Sequence, residues 1–270
     1  MAWNDLLQSA RDAAYDNAAA VADSAARIAR WTAASAAVRA RFPAHLARPY
    51  VSRERNKWDL FPGARGAPCL VFIHGGYWLR NSREVFACMA DGVQAHGWSA
   101  ALPGYTLAPL ATLTEIEAEM RAALDWFVAH RFGYGISGPV VISGWSAGGH
   151  LATLMLDHPV VTTGLAISGI FELGPLRDTA YQATLGLTPD EIAVLSPMRQ
   201  PAVHKPLSLA YGSGELPALI ANSCDYHALR VKAAAQGPLL RLEGHDHFSI
   251  LEELRTKDGA LTRAALSSLR

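Results

Sequence analysis

The sequence predicts an α/β fold: a mostly parallel central sheet with helices on both faces. Short apolar runs alternate with helix-like stretches from about residue 57 to the C-terminus, the pattern of strands joined by crossover helices. Several of those runs end in loops carrying glycine with serine, histidine or an acid. The length of 270 residues fits one large core, and 50% hydrophobic residues is normal for a sheet buried on both faces.

The elements follow in order. Residues 3–41 are rich in alanine with interspersed Arg and Asp, which favours helix. Trp3, Leu6, Leu7, Ile28, Trp31 and Val38 give this segment something to bury. A proline-bounded hinge is expected over 43–49, then a strand over 57–61 and a Pro62-Gly63 turn. Residues 69–73 (Cys-Leu-Val-Phe-Ile) read as a buried parallel strand, and 98–103 as the next. A crossover helix is expected over 114–131, then strands over 139–143 and 164–170. Residues 172–204 carry Pro175, Pro189, Pro197 and Pro201 with little periodicity. So long a connection suggests a small lid, with a short helix at 189–195. A strand at 207–212, a helix at 218–234, a strand at 238–242 and a helical run at 249–254 complete the pattern. The expected organisation is an N-terminal helical cap segment, 1–45, and a core, 46–270, with its lid at about 172–204.

Chemistry concentrates at three loops. Gly144-Trp145-Ser146-Ala147-Gly148 lies between a strand and a helix. In that setting the glycines permit a sharp turn and close helix–strand packing, leaving the Ser146 hydroxyl at its tip. Ala147 would open the helix, with its N–H facing any negative charge that forms beside Ser146. The strand at 69–73 runs into His74-Gly75-Gly76-Tyr77-Trp78. Attack of a serine on a carbonyl creates an oxyanion that needs preorganised N–H donors. Gly76 and Tyr77 are the expected donors on this side and Ala147 on the other. His74 is expected to organise the loop by hydrogen bonding. Tyr77, Trp78 and Trp145 are candidates to line the substrate pocket, although Tyr77 and Trp78 could equally cover the sheet.

The third loop, Glu243-Gly244-His245-Asp246-His247-Phe248, follows the last strand. A general base must reach Ser146 from the carboxyl edge of the sheet. His247 is favoured, and His245 is assigned to the rim. In strand–turn–helix hydrolases the chain order is nucleophile, acid, histidine, which places the acid between Ser146 and His247. Glu215, just past the strand at 207–212, is the leading candidate. Asp225 competes, but the helix expected around it would hold it away from the strand tip.

Together these residues resemble an α/β-hydrolase of the kynurenine formamidase (arylformamidase)-like esterase group. His74-Gly75-Gly76-Tyr77-Trp78 is the most specific match, since related lipases and esterases tend to have a third glycine where Tyr77 stands. The segment 144–152 resembles the family's nucleophile motif, with Trp145 where a histidine is often found. The segment 212–217 resembles its acid loop, with Glu215 where an aspartate often stands, and His247-Phe248 resembles its histidine loop. The alanine-rich residues 15–41 resemble the N-terminal segment of bacterial members. The resemblance implies a Ser146–His247–Glu215 triad and hydrolysis of a small amide or ester, most simply N-formyl-L-kynurenine, without a cofactor or metal. Rival readings are a carboxylesterase, amidase or carbamate hydrolase using the same triad, or a hydrolase fold that only binds a ligand.

Composition agrees. Formal net charge is zero with scattered Lys and Arg, which gives no footprint for nucleic acid or an anionic membrane. Three widely spaced cysteines, Cys69, Cys88 and Cys224, contain no C-x-x-C pair, so buried thiols and a cytoplasmic setting are expected. Asp5, Arg11, Asp12 and Asp16 interrupt any secretory apolar core, and no apolar run is long enough to span a bilayer. The partner expected is a small-molecule substrate, with a homodimer left open.

Overall fold

The protein is described by a computed structural model over residues 3–269. Eight strands form one sheet among the described residues: β1 (Arg48–Pro49), β2 (Lys57–Phe61), β3 (Cys69–Ile73), β4 (Ser99–Pro103), β5 (Val140–Trp145), β6 (Val161–Ile167), β7 (Leu207–Gly212) and β8 (Leu239–Leu242). Their spatial order is β1-β2-β4-β3-β5-β6-β7-β8. β1 and β2 are antiparallel to their neighbours, and every pairing from β4 through β8 is parallel. The expected mostly parallel sheet is therefore observed, with two antiparallel strands added at one edge.

The alternation of side chains along each strand divides the core in two. Val71, Ile73, Ala101, Val140 and Ile142 pack on one face with Leu124 and Phe127 of the helix Leu113–His130 and Leu151 of the helix Ala147–Leu154. Leu70, Phe72, Ala100, Leu102 and Val141 pack on the other. That face is covered by Trp31 and Val38 of the helix Ser24–Ala40, by Phe86 to Ala90, and by Leu254, Leu261 and Ala265 near the C-terminus. Buried strands with both faces apolar are why the sequence shows runs such as Cys69–Ile73 rather than strict alternation.

Several boundaries differ from expectation. β6 starts at Val161 rather than 164, while the helix after Ser146 begins at Ala147, as expected. The hinge at 43–49 contains a 3-10 turn, Pro43–His45, and ends in β1. Leu7, expected to bury itself, is 77% exposed, whereas Trp31 and Val38 are buried as expected. Residues 172–204 form four short helical pieces, among them Pro189–Leu195, where a short helix was expected. A capping box from Thr188 and Glu191 fixes its start. No described helix is long and apolar enough to cross a membrane.

One buried charge ties the N-terminal helix to the sheet. Asp59 on β2 is fully buried. Its Oδ2 accepts from Arg39 Nε at 2.8 Å, and its Oδ1 accepts from Arg83 Nε at 3.1 Å and Ala47 N–H at 2.9 Å. Removing one member of such a cluster leaves uncompensated buried charge. Asp59→Ala should therefore lower unfolding free energy by about 3–5 kcal/mol. The check is urea denaturation, read as a lower midpoint at an unchanged slope.

Candidate active site

The site begins at the turn between β5 and the helix Ala147–Leu154. Ser146 has φ 58° and ψ −120°, a conformation rarely adopted by a side-chain-bearing residue. Its N–H donates to Ile167 carbonyl at 2.8 Å and its carbonyl accepts from His150 N–H at 3.1 Å. The turn is enforced by proximity. A Cβ on Gly148 would lie 2.0 Å from Ile73 carbonyl oxygen, and one on Gly144 would lie 2.1 Å from Gly148 carbonyl oxygen. Only glycine allows the helix to start this close to β3 and β5.

The loop after β3 lies beside it. His74 is buried, stacks on Tyr105 at 4.4 Å between ring centroids, and pairs through Nδ1 with Gly75 carbonyl at 3.0 Å. Tyr105 hydroxyl donates to His74 carbonyl at 2.9 Å. His74 thus organises the loop, the role the sequence favoured. Gly76 and Tyr77 both have positive φ, 122° and 53°. Among the described residues, the N–H groups of Gly76, Tyr77 and Ala147 enter no hydrogen bond within the protein.

Glu215 and His247 arrive from the carboxyl ends of β7 and β8. Glu215 Oε2 accepts from His247 Nδ1–H at 2.9 Å. This bond fixes the tautomer with the free lone pair on Nε2. Glu215 Oε1 accepts from Ser168 Oγ and from Gly212 N–H, each at 2.6 Å. Both Glu215 and His247 are buried. Asp225 lies on the exposed side of the helix Pro217–Lys232, away from this pair. His245 faces Glu253 at 3.6 Å, a rim position. Asp246 Oδ1 accepts from the N–H groups of Phe248 and Ser249 and so shapes the histidine loop.

Ser146 and His247 line one cavity of about 290 Å³ together with Gly76, Tyr77, Trp145 and Phe248. Among the described residues no hydrogen bond joins Ser146 Oγ to His247 Nε2 in this conformation; such contacts commonly tighten only when substrate is bound. Trp145 lines the cavity, and its indole N–H also donates to His247 carbonyl at 2.7 Å. Trp78 is a correction: it is fully buried, lies outside the cavity wall, and meets the His150 ring edge-to-face at 5.0 Å. The turn after Gly76 sends Tyr77 to the cavity and Trp78 under the helix Ala147–Leu154.

Two contributions were missed in the sequence. Ser168, with φ 50°, holds Glu215 from the loop after β6; its signal was a Ser-Gly pair at the carboxyl edge of a strand. The second is Asn17, which lines the cavity with Ser24 and Ile28 from the N-terminal segment that the sequence expected as a helical cap. The segment is fastened to residues 172–204 by Trp3 Nε1 donating to Asp178 Oδ2 at 2.8 Å and by Ala180 N–H donating to Asp12 Oδ1 at 2.7 Å.

The relatives agree with this architecture. A family model described as BD-FAE matches residues 62–158, which include both glycine loops. Kynurenine formamidase of Danio rerio is 25% identical over 82% of this chain and 80% of its own length, and that of Salmo salar is 27% identical over the same shares. The chain is an α/β-hydrolase that resembles the kynurenine formamidase-like group. Among solved structures, a provisionally named thioesterase from Silicibacter sp. tm1040 superposes on this hydrolase with a TM-score of 0.83 and 28% identity. That match covers 95% of this chain and 98% of the other. A carbohydrate esterase from gut microbiota shares the fold at a TM-score of 0.70 and 15% identity, covering 83% and 95%.

Two neutral histidines flank the site of this hydrolase. Burial pushes the pKa of His74 and of His150 down to about 4. The unfolded chain binds these protons near pH 6.5 and the folded one only near 4, so stability is full above 6.5 and is lost as pH falls through that window. At 1.36 kcal/mol per unit, each histidine should cost about 2–3 kcal/mol by pH 4.5. His150→Gln should lose less stability than the parent between pH 7 and 4.5. Equal losses in parallel urea titrations would contradict this.

Proposed function

We propose that this hydrolase cleaves a small aryl amide by acyl transfer through Ser146, His247 and Glu215, and that N-formyl-L-kynurenine or a close relative is its substrate. The observation that carries the reading is the buried Glu215–His247 bond of 2.9 Å beside a cavity that the strained Ser146 also lines. Carboxylate, imidazole and hydroxyl in that order are the parts a nucleophilic serine requires.

In the first step His247 Nε2 takes the Ser146 proton as Oγ attacks the formyl carbon. The resulting oxyanion is held by the N–H groups of Gly76, Tyr77 and Ala147; loss of one such donor costs roughly 3–4 kcal/mol of barrier. Glu215 stabilises the imidazolium without taking its proton. His247 then protonates the departing nitrogen as the C–N bond breaks, and arylamine leaves. Water, deprotonated by His247, attacks the formyl ester and releases formate, restoring Ser146. The 25–27% identity to fish kynurenine formamidases supports the substrate class. So does a cavity in which Tyr77, Trp145 and Phe248 offer surface for an aryl group. In this reading residues 3–45 cap the site and 172–204 form its lid; the first two residues of the expected cap segment lie outside the described residues.

Ser146→Ala and His247→Ala should each lower kcat by at least ~10⁴-fold, Glu215→Ala by on the order of 10⁴-fold, and Asp225→Ala by less than about twofold. Circular dichroism would verify that each variant is folded. The substrate is tested by comparing N-formyl-L-kynurenine with a short 4-nitrophenyl ester. A kcat/KM for formylkynurenine within ~10⁴–10⁸ M⁻¹s⁻¹, lost in Ser146→Ala, is the expected result. Turnover of the ester alone would retain the triad and replace the formamidase reading with that of a carboxylesterase.

A further inference from the structure

Asn17 enters the cavity wall from the N-terminal segment, where it begins the short helix Asn17–Ala20. It is only 4% exposed. Its Nδ2 donates to Tyr77 hydroxyl at 3.1 Å, and that hydroxyl donates to Tyr15 carbonyl at 2.6 Å. A phenol has one proton, and here it is committed to Tyr15. The atom of Asn17 facing the phenol oxygen must therefore be a donor, which fixes the orientation of the amide. Oδ1 is left on the other branch, buried and without a hydrogen-bond partner.

The fold does not account for this acceptor. The helix is capped by Asp16, whose carboxylate accepts from Ala19 N–H at 3.1 Å, so Asn17 is not needed as a cap. A buried carbonyl without a donor is unfavourable in the free protein. A donor supplied from the cavity that Asn17 lines would satisfy it. Tyr77 joins the two halves of the site, since its side chain orients Asn17 while its own N–H lies in the loop after β3.

We infer that Asn17 Oδ1 accepts the N–H of the scissile secondary amide and makes Asn17 a specificity-determining residue for amides over esters. This rests on the amide reading given above. An ester presents an oxygen lone pair at that position, so it gains nothing from Oδ1 and is repelled by it. The bond also has a consequence along the reaction. In the tetrahedral intermediate the nitrogen carries one hydrogen and one lone pair. Holding the hydrogen toward Asn17 leaves the lone pair to be turned toward His247, which must protonate it before the C–N bond can break.

The test compares the matched pair 4-nitroacetanilide and 4-nitrophenyl acetate, together with N-formyl-L-kynurenine, on the parent enzyme, Asn17→Leu and Asn17→Asp. In Asn17→Leu the ratio of amide to ester kcat/KM should fall about 10–100-fold, the scale of one lost hydrogen bond in a site built for it. Asn17→Asp keeps an acceptor and should hold the ratio within about threefold even where both rates drop. Equal loss on amide and ester in Asn17→Leu would mean that Asn17 only props Tyr77, and would overturn the inference while leaving the amide reading intact. Ester turnover by the parent with no turnover of either amide would overturn the amide reading, and the inference with it.

Discussion

The approach of one helix to two strands governs much of this structure. The helix Ala147–Leu154 starts so near β3 and β5 that Gly148 carries no Cβ against Ile73 carbonyl and Gly144 none against Gly148 carbonyl. Ser146 is then left in a backbone conformation that would be unfavourable by about 1–3 kcal/mol in isolation. The strain is sustained because both ends of the turn are fixed: Ser146 N–H is bonded to Ile167 and its carbonyl caps the helix at His150. The same proximity brings the helix N-terminus, with its unpaired N–H groups, next to the His-Gly-Gly loop. Geometry for attack and geometry for charge stabilisation thus come from one packing constraint.

A second layer of contacts fixes the histidine loop in relation to that turn. Trp145 precedes the serine, yet its indole reaches His247 carbonyl, so the residue before the nucleophile also positions the loop of the base. Trp31 on the N-terminal helix meets Trp145 edge-on at 6.0 Å, lies against Phe248 at 6.3 Å, and donates its indole N–H to Glu252 at 2.7 Å. Glu215 is held by two hydrogen bonds from Ser168 and Gly212 before it meets His247. Each candidate catalytic side chain is therefore oriented by a partner from a different strand end, as expected where ligands bind at the carboxyl edge of an open parallel sheet.

Legibility in the sequence followed how local each signal is. β2, β3 and β7 matched their expected ranges because apolar runs bounded by Pro, Gly or polar turns need no tertiary information. Ser146, Glu215 and His247 were legible because each sits just past such a run. The start of the helix at Ala147 was legible from the turn motif and not from propensity, because Gly148 and Gly149 are poor helix formers and close packing overrides that. β1 is two residues ending in a proline and carries no strand signal of its own. Whether Tyr77 or Trp78 meets the cavity was not legible, because one backbone turn, set by positive φ at Gly76, Tyr77 and Trp78, decides which of two adjacent aromatics does so. Asn17 and Ser168 act across 60 and 47 residues of chain, and no local pattern marks such partners.

The N-terminal segment shows why composition alone undervalues a stretch of sequence. Alanine-rich residues with scattered charges resemble low-complexity helix, and their apolar content is small. Yet this segment supplies Arg39 to the buried Asp59, Trp31 to the aromatic group behind Trp145, and Asn17 to the cavity wall. Small side chains are what make this possible. Alanine lets a helix pack close beside the cavity without filling it, so Ala18 and Ala25 line the space together with Asn17 of the short helix Asn17–Ala20. The few large or polar residues in the segment then carry nearly all of its specificity. Their long sequence separation from their partners makes the site dependent on the complete fold rather than on the hydrolase core alone.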